Sequence, residues 1–123
     1  MSETESRAPE SDPTEPIEGL LATIAGQARR TNQGRIEQLR VALERASEDG
    51  LDRAGWAVAE RTAHQLAGSA GTFGFAGVSE RARQLEQLFA DAVVATPDEA
   101  RLAAAGVMLD EASAQLDCEP PPA

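Results

Sequence analysis

At 123 residues and a net charge of −10, the chain has the length of one domain with tails, and its acidity argues against a nucleic-acid backbone as partner, since that contact needs clustered Lys and Arg. A single Cys, Cys118, excludes an internal disulfide and a Cys-based zinc site, and the longest apolar run, residues 102–109, is far too short to span a bilayer. Three Phe, one Trp and no Tyr, in a chain rich in Ala, Leu, Glu, Gln and Arg, favour helices over a sandwich or barrel, and with no secretion signal at the start a cytoplasmic protein is expected.

Residues 1–16 hold three prolines, five acids and no apolar periodicity, and are expected to form a disordered acidic tail. From there Ile17, Leu21, Ile24, Ala28, Leu39, Leu43 and Ala46 keep one phase at 3.6 residues per turn. The preserved phase favours one long helix over about 17–48, while Gly34 leaves open two helices meeting near Asn32. A second helix is predicted from about Asp52 to Phe73, with Trp56, Ala59, Ala63, Leu66, Ala70 and Phe73 on one face, followed by a turn at Gly74-Phe75-Ala76-Gly77. Val78, Ala82, Leu85, Phe89 and Ala92 mark a third. Thr96-Pro97-Asp98-Glu99 reads as a capping threonine, proline at the first helical position and an acid at the third, opening a fourth helix that carries Leu102, Ala105, Leu109, Ala112 and Leu116. Four amphipathic helices on short loops make an all-α, antiparallel four-helix bundle over 17–117, with a Pro-rich tail at 118–123.

The second helix holds the only histidine, His64, within the stretch AHQLAGSAGTFG. At 100° per residue His64 falls roughly 120° from the centre of the apolar face, so its ring belongs at the edge of the buried stripe or outside it. On that side lie Ala57, Glu60, Arg61, Ala67, Gly68 and Gly71. Helical side chains lean toward the N-terminus, so residue 68 would lean over His64, and residue 68 is glycine. Each helical glycine costs about 1 kcal/mol relative to Ala. Clearance for a partner, or for a group bonded to the ring, is one reason to keep it. Close packing of two helices is another, and Gly71 fits that second reason as well as the first. Residues 53–86 carry four Arg (53, 61, 81 and 83) against Glu60, Glu80 and Glu86, a slightly positive segment in an acidic chain that suits a phosphoryl group or an acidic partner. One His without neighbouring Cys excludes a histidine-rich metal site, His64 and Ser69 point apart on the helix, and no glycine loop follows a strand to cradle a nucleotide.

The run from Ala63 to Gly74 resembles the signature of the histidine-containing phosphotransfer (HPt) domains of bacterial multistep phosphorelays. That pattern is roughly AHxLKGSAxxxG, followed a helix later by an apolar-rich run ending in Leu-Glu, here Val78 to Glu86. The resemblance implies that His64 accepts a phosphoryl group from the aspartate of one response-regulator receiver domain and passes it to another. It implies no ATP site and no kinase activity, with Gly68, Ala67, Arg61, Gln65 and Gly71 as the neighbours of the phosphoryl site. Receiver domains and a hybrid histidine kinase are the implied partners. No cofactor or metal of the chain's own is implied, the receiver bringing Mg²⁺, and a monomer is expected. The opening Met and short tails lead to the expectation of a standalone carrier. One position departs from the pattern: three residues after the histidine the family usually has Lys, and here stands Ala67. Arg61, one turn before His64, is the first candidate for a replacement cation, with Arg81 and Arg83 on the next helix behind it. The alternative is a phosphate-inert docking module that binds a receiver or kinase without using His64.

Overall fold

A computed structural model describes residues 15–118. They form α1 (Glu15–Glu48), α2 (Arg53–Thr72), α3 (Ala76–Val94) and α4 (Glu99–Cys118), with no strand among the described residues. Each helix packs on two neighbours, α1 and α3 each lying between α2 and α4, which makes the expected antiparallel four-helix bundle. The tails expected at 1–16 and 118–123 fall outside the described residues except for Glu15, Pro16 and Cys118, which are helical.

The core follows the predicted faces closely in α2, α3 and α4. Leu66, Phe75, Val78, Leu85, Phe89, Leu109 and Leu116 are fully buried, and Trp56 stacks on Phe89 with ring centroids 5.9 Å apart. The connections have local causes. Gly50, at φ 85°, ends α1 with its amide on the Arg45 carbonyl, and the Asp52 carboxylate then caps α2 by accepting from the Gly55 amide at 2.8 Å. Gly74, at φ 83°, turns the chain so that Phe75 enters the core, its amide 2.8 Å from the Ala70 carbonyl oxygen. The predicted turn at 74–77 is accordingly shorter, because α3 already begins at Ala76.

Two expectations are corrected. First, α1 is one continuous helix of 34 residues against 19 or 20 for the others, so its N-terminal third runs past the α2–α3 turn. Ile17 and Leu21, predicted in the buried stripe, are therefore exposed, and burial begins at Ala25. The continuity favoured by the preserved phase holds through Asn32, which is fully buried and faces α2. Second, α4 is capped by Asp98 rather than Thr96. The Asp98 carboxylate accepts from the Arg101 amide at 2.8 Å, which places Pro97 before the helix.

Candidate functional site

His64 sits in the middle of α2 between residues that point into the core. Ala63 and Leu66 are fully buried, while the His64 side chain is 73% exposed on the outer face. Its ring is nonetheless held. The Glu86 carboxylate reaches across from α3, and its Oε2 lies 2.9 Å from His64 Nδ1. A carboxylate only accepts hydrogen bonds, so Nδ1 carries the proton and donates it. In its neutral form the ring presents the Nε2 lone pair to solvent, so Nε2 is the nitrogen that an incoming group would meet.

The seam between α2 and α3 is fixed on the same side of the bundle. Ser79, buried on α3, donates from its hydroxyl to the Ala67 carbonyl oxygen at 2.9 Å. A Cβ on Gly71 would lie 3.3 Å from Ser79 Oγ, so Gly71 serves the close approach of the two helices. Gly68 has no such duty. A Cβ built there meets nothing within 4 Å, and its carbonyl accepts from the Thr72 hydroxyl one turn on. Nothing within the bundle accounts for glycine at 68, and the space above it is open. Ala67 differs from the wheel reading. It borders the His64 face but is only 4% exposed, tucked under α3, with its carbonyl oxygen accepting from Ser79.

From the other side, α1 anchors the same stretch of α2. Asn32 Nδ2 donates to Ser69 Oγ at 3.1 Å, and Asn32 Oδ1 accepts from Arg35 Nη1 at 2.8 Å. The serine of the histidine stretch is thus structural, holding α2 against α1 one turn beyond His64.

The structure brings His64, Gly68 and Gly71 onto one open face, with Gln65 and Arg61 exposed on the same helix. Arg81 is directed away, its Nε 2.9 Å from Glu111 on α4. Arg83 is exposed at the seam, with Nη2 4.0 Å from the position a Cβ on Gly71 would take. Sequence reasoning missed Glu86, Ser79 and Asn32 as supports of the site. Only Glu86 carried a signal, as the terminal Glu of the apolar-rich run after the histidine stretch. Among the described residues no group of three or more His, Cys, Asp or Glu could hold a metal ion, and no helix is long and apolar enough to cross a membrane.

Fold and site together define an all-helical module built around one displayed histidine. The family model described as Hpt domain matches residues 23–117, and the chain belongs to that family. Hpt domains are phosphocarrier modules of histidine phosphotransfer, and they meet receiver domains and kinases in phosphorelays. Comparison with curated proteins and with solved structures gives no match.

Proposed function

We propose that this chain is a phosphorelay carrier in which His64 Nε2 takes a phosphoryl group from the aspartyl phosphate of a receiver domain and delivers it to the aspartate of a second response regulator. The observation that carries this reading is the exposed imidazole whose Nδ1 is tied to Glu86. The Nε2 lone pair attacks phosphorus in line, the P–N bond forms, the P–O bond to the donor aspartate breaks, and that aspartate leaves as a carboxylate. No proton has to move, because the ring keeps its proton at Nδ1. The phosphorylated ring is then cationic, and Glu86 faces that charge. Onward transfer reverses the electron flow. The acceptor aspartate oxygen forms the new P–O bond, the P–N bond breaks, and neutral imidazole departs still hydrogen-bonded to Glu86. Mg²⁺ held by the receiver domain neutralises charge on the phosphoryl oxygens during either transfer.

The space above Gly68 supports the same reading, since a receiver domain must bring its own backbone and aspartate within bonding distance of the ring. A hybrid kinase supplies the first phosphorylated receiver, and the carrier works as a cytoplasmic monomer.

Phosphorylation of the purified chain by phosphoramidate, and then by phosphorylated receiver domains, tests the proposal. An acid-labile phosphate, read as intact mass, is expected on the wild type and absent from His64→Gln. Failure of the folded wild type to accept phosphate from any donor would sink the carrier role and leave docking to a receiver or kinase, the function raised by Ala67.

A further inference from the structure

Phosphorylation of His64 at Nε2 puts anionic phosphoryl oxygens on the open side of the ring, away from the carboxylate that holds Nδ1. Glu86 faces the cationic ring and leaves those oxygens uncompensated, so the site calls for a cation that becomes available when the phosphoryl group arrives. The α2–α3 seam identifies it. The two helices run antiparallel, with His64 opposite Glu86 and Gly71 opposite Ser79. Between those two levels, three residues on from His64 and three back from Glu86, Ala67 comes opposite Arg83. A residue as small as Ala67 leaves that level of the seam to the side chain from α3.

Arg83 meets the other requirements. Its guanidinium lies against Gly71, on the open face that holds His64 and Gly68, with Nη2 4.0 Å from the Gly71 Cβ position. Among the described residues it makes no hydrogen bond and no ion pair, whereas Arg81 is engaged by Glu111, Arg40 by Asp110 and Arg101 by Asp91. It stands one turn of α3, about 4.5 Å of rise, from Glu86. Arg61 is also exposed, but it lies one turn before His64 on the same helix, whereas Gly68 and the open space lie one turn after it.

Resting on the carrier reading above, we propose that Arg83 is the phosphoryl-binding cation of this domain. When His64 is phosphorylated, the guanidinium turns from Gly71 to the phosphoryl oxygens, pairing with them through its planar fork of N–H donors. The positive charge comes from α3 rather than from α2, and Ala67 and Gly71 leave it room to move along the seam.

The test uses the full chain with phosphoramidate as donor, comparing wild type with Arg83→Ala, Arg83→Lys, Arg61→Ala and, as a control for charge alone, Arg101→Ala. Initial rates of phosphohistidine formation and the ³¹P resonance of the phosphorylated protein are read together, with thermal melts to establish that each variant is folded. Arg83→Ala is expected to slow phosphorylation about two- to fivefold, the size of an exposed ion-pair contribution, and to move the ³¹P resonance. Arg83→Lys retains most of the rate, and Arg101→Ala matches the wild type. An Arg83→Ala protein with wild-type rate and an unmoved resonance overturns the assignment, as does a larger loss in Arg61→Ala. A wild-type chain that takes no phosphate overturns the carrier reading itself, an outcome distinct from these two.

Discussion

His64 Nδ1 and Glu86 Oε2, on adjacent antiparallel helices, stand 2.9 Å apart, and this one hydrogen bond selects which ring nitrogen carries the proton. Without it the neutral imidazole would divide between two tautomers and rotate freely about its side-chain bonds, because the ring is otherwise in solvent. Glu86→Ala is therefore expected to slow phosphorylation by phosphoramidate about two- to tenfold, the range of a charge-assisted hydrogen bond at a partly exposed site. Glu86→Gln separates the two roles of the side chain. Its amide oxygen still accepts from Nδ1, so orientation survives, but it no longer faces the cationic phosphorylated ring with a charge. An intermediate rate, with ¹⁵N shifts reporting the proton still on Nδ1, is the expected result.

Asn32 supports the site from the far side of α2. It is fully buried, its amide donates to Ser69 Oγ, and its oxygen accepts from Arg35. Asn32→Ala removes both bonds and opens a cavity at the α1–α2 contact. A loss of about 1–3 kcal/mol is expected, the cost of unpairing buried polar groups. For a domain of this size each kcal/mol corresponds to roughly 4–8 °C of melting temperature. The fraction that stays folded should still accept phosphate from phosphoramidate at close to the wild-type rate, since Asn32 touches neither His64 nor Glu86.

The start of α4 offers a local test of capping. Asp98 accepts from the Arg101 amide at 2.8 Å, and Thr96 precedes the helix. Asp98→Ala is expected to destabilise the bundle by about 1 kcal/mol, while Thr96→Ala changes the melting temperature little. The reverse order would mean that the helix begins two residues earlier in solution.

The bundle is legible in the sequence because α2, α3 and α4 are each buried along one stripe, and a buried stripe writes its period directly into the residues: Val78, Ala82, Leu85, Phe89 and Ala92 are all buried as spaced. The first helix misleads for the opposite reason. Ile17 and Leu21 keep the phase of the core but lie beyond the end of their neighbours, and periodicity carries no information about where the neighbouring helices stop. His64 and Gly68 are legible because a displayed histidine beside an unfilled position is a departure from what a helix would otherwise hold. Glu86, Ser79 and Asn32 are not, since each acts across a helix–helix seam whose register depends on packing. The same holds for Arg83. From sequence it ranks with Arg81 behind Arg61, and only the antiparallel alignment of α2 with α3 places it opposite Ala67.

On the carrier reading Gly68 sets stability against function in one residue. A Cβ at this position meets nothing within 4 Å, so the fold gives no reason to keep glycine in the middle of a 20-residue helix. Gly68→Ala is accordingly expected to stabilise the domain by about 0.5–1 kcal/mol, seen as a higher melting temperature. Gly68→Gln should also fold, since its side chain projects into solvent. Phosphoramidate is small enough to reach Nε2 past either side chain, so both variants should be phosphorylated by it within about threefold of wild type, well under one kcal/mol of barrier. A receiver domain is not small. It must bring a whole surface over residue 68, so transfer from a phosphorylated receiver is expected to fall about tenfold or more in Gly68→Gln, the consequence of misplacing reacting atoms by an ångström or so. Equal losses with both donors would mean that the glutamine disturbs the ring itself. An undiminished receiver rate would mean that the partner approaches from another side, and that glycine at 68 has no part in docking.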